Sequence, residues 1–333
     1  MKEMLEGIRF LARTWSIVLG GGNDGRMSDF IQRWLGVPRP KQYCTFVGNR
    51  SPFQHTLDRA SGLCRREHIV ALVAREHGQE AWSQLEGRGA GTVLLQPRNR
   101  DSAAGMYLSL TYLRAKDPQA TVVIYPSDHF VFPETGFLVS VYRALCALEW
   151  IPGRVIVLGV PPDRLELDYG WIIPGETIDG SEQYQIRAVK RFVGRPTIIE
   201  ADAALAAGAL WNTSVIAAKA ETLWQIGCFP DLMPRFERLS QSIGTSREAQ
   251  ILDEIYDDIP AHDLVPELLQ RVPERTAVIE MNGVLWSDWG RPTRIIDSLR
   301  RIGREPAFPL ECLDRPYGRI ARLGEGIRAA AGL

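Results

Sequence analysis

Short apolar runs, each followed by a stretch with helical spacing, organise the first half of the chain. The runs are Trp15 to Leu19, Ile69 to Val73, Thr92 to Leu95, Thr121 to Tyr125 and Val155 to Leu158. Their length and their β-branched residues suit strands covered on both faces. Ser102 to Ala115 and Gly136 to Leu148 carry helical spacing between them. This alternation predicts an α/β fold, a Rossmann-like, mixed but mostly parallel sheet flanked by helices. In such sheets ligands bind beyond the carboxyl ends of the strands. Gly20 onward, Gln96-Pro97 onward and Pro126-Ser127-Asp128 occupy three of those ends. The first, third and fourth strands are therefore expected to converge on one crevice.

After about residue 160 the pattern changes. Tyr169 to Ile172 and Ile186 to Phe192 read as antiparallel additions. Val278 to Trp286 reads as a further strand, turning at Asn282-Gly283. Charged helical segments, Arg294 to Gly303 and Arg319 to Ala331, follow. No internal repeat or low-complexity tract interrupts the chain.

Composition narrows the partners. The 333 residues are 45% hydrophobic and 24% charged, ordinary for a globular enzyme. The formal net charge is -1, so no overall field favours nucleic acid or an anionic membrane. Phosphate recognition must then come from a few placed cations and backbone amides. The five cysteines (Cys44, Cys64, Cys146, Cys228 and Cys312) are far apart and form no C-x-x-C pair. A reducing, cytoplasmic setting is expected from them. No apolar run approaches the roughly 20 residues of a membrane span. Met1 to Arg13 mixes charges with apolar residues and reads as a short amphipathic lead-in, without the apolar core of a signal peptide.

Four places carry candidate chemistry. Gly20, Gly21, Gly22 and Gly25, with Arg26 behind them, follow the first strand directly. Glycines let backbone N–H groups approach phosphates, and Arg26 adds a cation; a tight strand-to-helix turn is the competing explanation. Lys41, in Arg39-Pro40-Lys41-Gln42, reads as a cation for a triphosphate or as a solvated lysine. Asp128 ends a very apolar strand, where it reads as a Mg²⁺ ligand or as a helix cap. His129 beside it reads as a packing or hydrogen-bonding residue. Asp288, in Trp286-Ser287-Asp288-Trp289-Gly290, reads as a partner for Asp128 in a metal site or as a turn aspartate. A dinucleotide fingerprint is also satisfied in spacing by Gly20, Gly22 and Gly25. It lacks the acidic residue expected some twenty positions on, since Leu35 to Arg50 contains none.

The order of these features resembles the sugar-phosphate nucleotidyltransferase family, and within it the mannose-1-phosphate guanylyltransferases, from about Trp15 to Pro292. Leu95-Gln96-Pro97 with Arg100-Asp101-Ser102-Ala103 is similar to that group's L-E-P…R-N-T-A. Tyr169-Gly170-Trp171-Ile172 resembles G-Y-G-Y-I, and Trp211-Asn212-Thr213-Ser214 resembles W-N-S-G. Two departures stand out. Asp24 occupies a glycine position of G-G-x-G-x-R, and Gly194-Arg195 replaces the Glu-Lys of F-x-E-K-P.

The resemblance implies nucleotidyl transfer from a nucleoside triphosphate, GTP first among them, to a sugar 1-phosphate, mannose 1-phosphate first among them. It implies Mg²⁺ on Asp128 and Asp288, and a glycine loop with Arg26 and Lys41 on the triphosphate. It places Gln96, Pro97 and Ser102 near the base, Arg195 on the sugar phosphate, and Tyr169, Gly170 and Asn212 against the sugar. It also implies a catalytic domain over 1–292, a helical extension over 293–333, and a homodimer as one option for assembly. The substitutions at Asp24 and Gly194 keep a second expectation open, a catalytically impaired relative that binds nucleotide sugars as a regulatory or assembly subunit.

Overall fold

The structure, a computed structural model, describes residues 12–22, 25–88, 90–226, 232–265 and 269–313. The amphipathic lead-in up to residue 11, Asp24, and the expected helix Arg319 to Ala331 lie outside the described residues.

The strands are β1 (Thr14–Gly20), β2 (Ile69–Ala74), β3 (Thr92–Gln96), β4 (Thr121–Pro126), β5 (Phe130–Phe132) and β6 (Val155–Val160). They continue as β7 (Trp171–Thr177), β8 (Ile186–Val193), β9 (Leu210–Lys219), β10 (Thr276–Glu280) and β11 (Leu285–Ser287). The helices begin with α1 (Ser28–Leu35), α2 (Pro52–Ser61), α3 (Gly78–Leu85), α4 (Asp101–Lys116) and α5 (Glu134–Ala147). After them come α6 (Ile198–Ala206), α7 (Ala220–Ile226), α8 (Met233–Ser240), α9 (Glu248–Asp258) and α10 (Pro292–Arg301).

A nine-stranded sheet in the order β3-β2-β1-β4-β9-β6-β10-β8-β7 forms the centre. Pairing is parallel from β3 through β4 and between β6 and β10, and antiparallel around β8 and β9. Most strands therefore run one way, as the sequence pattern predicts. The apolar runs end up covered on both faces. Val18, Ala71 and Val73 join a core beneath α2 and α5, while Ile17, Val70 and Leu72 join one beneath α4, α7, α8 and α9. The valine, isoleucine and leucine side chains among them each contribute about 1.5–3 kcal/mol on full burial.

Helix α4 shows how tightly the layers meet. It is buried nearly all round, from Ala103 to Leu113. A Cβ on Gly105 would stand 2.6 Å from the end of the Leu72 side chain, so any larger residue there would force Leu72 on β2 to shift.

One expectation is corrected. Val278 to Trp286 does turn at Asn282-Gly283, with Gly283 at φ 69°, but no hairpin forms. Strand β10 stays in the main sheet beside β6 and β8, while β11 pairs with β5 in a separate two-stranded sheet. The alternation of apolar residues gives the same signal for both pieces, and only tertiary pairing separates them. That separation carries the end of β11 across to the segment that leaves β4.

Helix α10, with Pro292 in its first turn, buries Ile295, Ile296 and Leu299 in a third core with Met27, Phe30, Phe46, Trp289 and Phe308. Trp289 stacks on Phe130 with centroids 4.7 Å apart. This core fixes the loop after β11 against the β4–β5 connection.

Candidate active site

Strands β1, β3 and β4 end at one edge of the sheet, and antiparallel β9 begins there. Two adjoining clefts open at that edge, of about 490 Å³ and 670 Å³. The first is lined by Gly21, Gly22, Arg26, Lys41, Gln96, Ser102, Asp128 and Asp288 among others. Tyr169, Gly170, Arg195 and Asn212 line the second. Arg26, Asp101, His129, Ser214 and Asp288 face both. Gly20, Gly25 and Pro97 stand beside these walls and are not part of either lining.

The glycine loop is shaped from behind. Gln42 Nε2 donates to the carbonyls of Gly20 and Gly22 at 2.9 and 2.8 Å. A Cβ on Gly21 would meet Gln96 Oε1 at 3.1 Å, so the loop lies directly against the end of β3. Arg26, half-exposed, points toward Asp288 with Nη2 3.9 Å from Oδ2.

Lys41 is not solvated; it is 3% exposed. Its Nζ stands 2.9 Å from Asp128 Oδ2 and donates to the Asp288 carbonyl at 2.8 Å. Asp128 leaves the end of β4 and faces the cleft, with His129 Nε2 3.6 Å from its Oδ1. His129 is a packing residue, as expected. Its Nδ1 accepts from Trp286 Nε1 at 3.3 Å, and the two rings meet edge to face. Burial lowers its pKa, with Asp128 and Asp288 pulling the other way. Arg59 on α2 donates to the His129 carbonyl at 3.1 Å and so braces this segment.

Asp288 follows β11. Its Oδ1 accepts from Gly290 N at 2.8 Å, from the Tyr169 hydroxyl at 3.2 Å and from Arg294 Nη1 at 3.0 Å. Burial pushes its carboxyl up, but Lys41, Arg294, the Gly290 amide and His129 outweigh it, and the net pKa is lowered. Asp288 is thus an anion near neutral pH. Tyr169 is shifted up by burial and by Asp288, so its hydroxyl keeps its proton.

In the second cleft, Asn212 Oδ1 accepts from the Ser214 amide at 2.9 Å, which leaves the Asn212 amide nitrogen as its free polar end among the described residues. Gln270 Nε2 lies 3.3 Å from where a Cβ on Gly194 would be, so the glycine makes room for it. At the base of the first cleft, Ser102 Oγ donates to Asp263 Oδ1 at 2.9 Å and accepts from Leu264 N at 2.8 Å. Gln42, Arg59, Asp263, Gln270 and Arg294 carried no distinct sequence signal. The one available clue was position, since Gln42 adjoins Lys41 and Arg294 follows the Trp-x-Asp-x-Gly segment.

Among the described residues no group of three or more His, Cys, Asp or Glu side chains gathers as a metal cage, and no helix is long and apolar enough to cross a membrane.

By its likeness to solved structures, this sheet has the nucleotide-diphospho-sugar transferase fold. The chain belongs to the nucleotidyl transferase family, whose model matches residues 15–304. It is similar to the xanthan biosynthesis protein XanB of Xanthomonas campestris pv. campestris (strain B100), with 28% identity over 61% of this chain and 42% of that protein. It is 23% identical to the mannose-1-phosphate guanylyltransferase of Escherichia coli K12, over 84% of this chain and 58% of the relative. The chain thus spans about half the length of these curated relatives. Among solved structures, the mannose-1-phosphate geranyltransferase from Thermus thermophilus superposes with a TM-score of 0.72 at 24% identity, covering 87% of this chain and 79% of that one. That likeness speaks for the fold.

Proposed function

We propose that this chain transfers a nucleotidyl group from a nucleoside triphosphate to a sugar 1-phosphate and releases pyrophosphate. GTP and mannose 1-phosphate are the first pair to try, because relatives such as the Escherichia coli protein carry that name. The observation that carries the reading is the junction of the two clefts. A groove of about 490 Å³ that carries the glycine loop and a second of about 670 Å³ meet at Asp288, His129 and Arg26.

In this reaction a phosphate oxygen of the sugar 1-phosphate attacks the α-phosphorus in line. The bond from that phosphorus to the bridging oxygen of the β-phosphate breaks, and both electrons leave with pyrophosphate. The nucleophile is already ionised near neutral pH, so this chain has to position and neutralise charge and need not supply a base. Gly21, Gly22 and Arg26 face the β- and γ-phosphates, and Lys41 the reacting end. Gln96 and Ser102 lie toward the base. Tyr169, Gly170 and Asn212 face the sugar, and Arg195 its phosphate.

Asp128 and Asp288 suit Mg²⁺ by donor chemistry, since both are oxygen ligands on one cleft and this ion uses one or two carboxylates plus substrate phosphates. When bound there, Mg²⁺ supplies charge neutralisation at the phosphates.

The test is pyrophosphate release by the full chain with GTP, mannose 1-phosphate and Mg²⁺, repeated for other triphosphates and sugar phosphates. Release should need both substrates and be abolished in Asp128→Asn. A binding-only role is favoured by one observation, that Lys41 and Arg294 already neutralise both carboxylates. Tight nucleotide-sugar binding without turnover on any pair would select it.

A further inference from the structure

The side chain that bridges the walls of the two clefts belongs to neither lining. Arg294 lies in the first turn of α10, and its side chain is 5% exposed. Its Nη1 spans both oxygens of Asp288, at 3.0 and 3.1 Å. Its Nη2 reaches Asp168 Oδ2 and Glu166 Oε1, each at 2.8 Å. The guanidinium also lies over the Tyr169 ring, 4.4 Å from the centroid. Burial works against its charge, yet Asp288, Tyr169 and Glu166 raise its pKa, so it stays a cation.

A guanidinium is a planar, rigid fork. One arm holds the carboxylate shared by both clefts, and the other holds the 166–170 segment that walls the second. Neither arm can shift without the other. Asp288 Oδ1 takes three donors, whereas Oδ2 meets Arg294 Nη1 at 3.1 Å with Arg26 Nη2 further off at 3.9 Å, so Oδ2 is the less encumbered oxygen on the cleft side.

We propose that Arg294 is a positioning residue that locks the Asp168–Gly170 wall and the Asp288 carboxylate in one register. A sugar phosphate seated on that wall is thereby aligned with the reacting phosphates. The alignment part rests on the function proposed above. The coupling itself does not.

Two measurements on Arg294→Lys and Arg294→Met test it. In the lysine variant, which keeps the charge and loses the fork, the KM for sugar 1-phosphate should rise on the order of tenfold and that for triphosphate by clearly less, because, of the two groups Arg294 holds, the Asp168–Gly170 wall lines the second cleft alone while Asp288 faces both. A residue that only stabilised the fold would reduce the yield of active protein and leave both KM values unchanged. The second measurement needs no turnover. By hydrogen exchange, residues 166–170 and 287–290 should lose protection together in both variants, with the central sheet unchanged, whereas Asp168→Asn should loosen only the first segment. An unchanged KM for sugar phosphate, or loosening of a single segment in the Arg294 variants, overturns the proposal. If the wild type turns over no substrate pair, the transfer reading fails and the exchange experiment still decides the coupling. Should the methionine variant not fold, the lysine variant decides alone.

Discussion

Lys41 ties the two aspartates of the cleft together, with Nζ 2.9 Å from Asp128 Oδ2 and 2.8 Å from the Asp288 carbonyl oxygen. One buried ammonium thus sets the distance between the ends of β4 and β11. Lys41→Met should lower kcat by about 10²–10³, the scale for losing one preorganised charge donor. Its stability loss should be smaller than the roughly 3–5 kcal/mol of a fully buried pair, because Asp128 is partly exposed. Steady-state rates and urea unfolding on the same preparation separate the two effects. Turnover within a few-fold of wild type would remove Lys41 from the machinery.

Backbone strain gathers at the same place. Of the non-glycine residues with left-handed φ, Asp101, Arg195 and Ser214 line the clefts and Trp289 follows Asp288. Such geometry persists where surrounding structure over-determines it. Ser214, at φ 56°, is the cleanest to relieve. Ser214→Gly should raise the urea midpoint, by up to about 1 kcal/mol in free energy. A lower midpoint would show that the irregularity of β9 at Ser214 stores no such cost.

His77 supplies a pH dependence away from the carboxylates. It is buried against Tyr43, and its Nδ1 has no partner among the described residues. Burial lowers its pKa below the ordinary 6.5, with Glu76 and the Gly20 backbone pulling the other way. The unfolded chain therefore binds the proton first as pH falls. Its stabilising contribution is complete above the ordinary value and is lost as pH falls through the folded-state value. The fall in urea midpoint between about pH 7.5 and about pH 5.5 should be shallower in His77→Gln than in wild type. Equal slopes would contradict it.

The β1–β4 half of the sheet was legible because its apolar runs are bounded by glycine, proline and charge, and buried strands need little else. The convergence of Gly21, Gln96 and Asp128 at one edge follows from parallel strands alone. What the sequence did not disclose depends on tertiary contact. Strands β10 and β11 share one apolar signal but enter different sheets. Arg294 looks like any charged helical residue until Asp288, Asp168 and Glu166 are seen around it. Lys41 read as a cation in the cleft or, by the default for any single lysine, as solvated, and only its burial separates the two. The departure at Gly194 is accompanied by Gln270 in the adjacent space, a pairing some seventy-six residues apart that no local pattern reveals.

Both clefts, in the proposed reaction, serve one transfer. A triphosphate labelled at the α-phosphorus, incubated with sugar 1-phosphate, Mg²⁺ and the full chain, tests it by following the label. The label should appear in a nucleotide sugar, with pyrophosphate formed in equal amount and neither product seen when the sugar phosphate is omitted. Label released as free nucleotide without the sugar phosphate, or retained in the triphosphate across every pair tried, would contradict it.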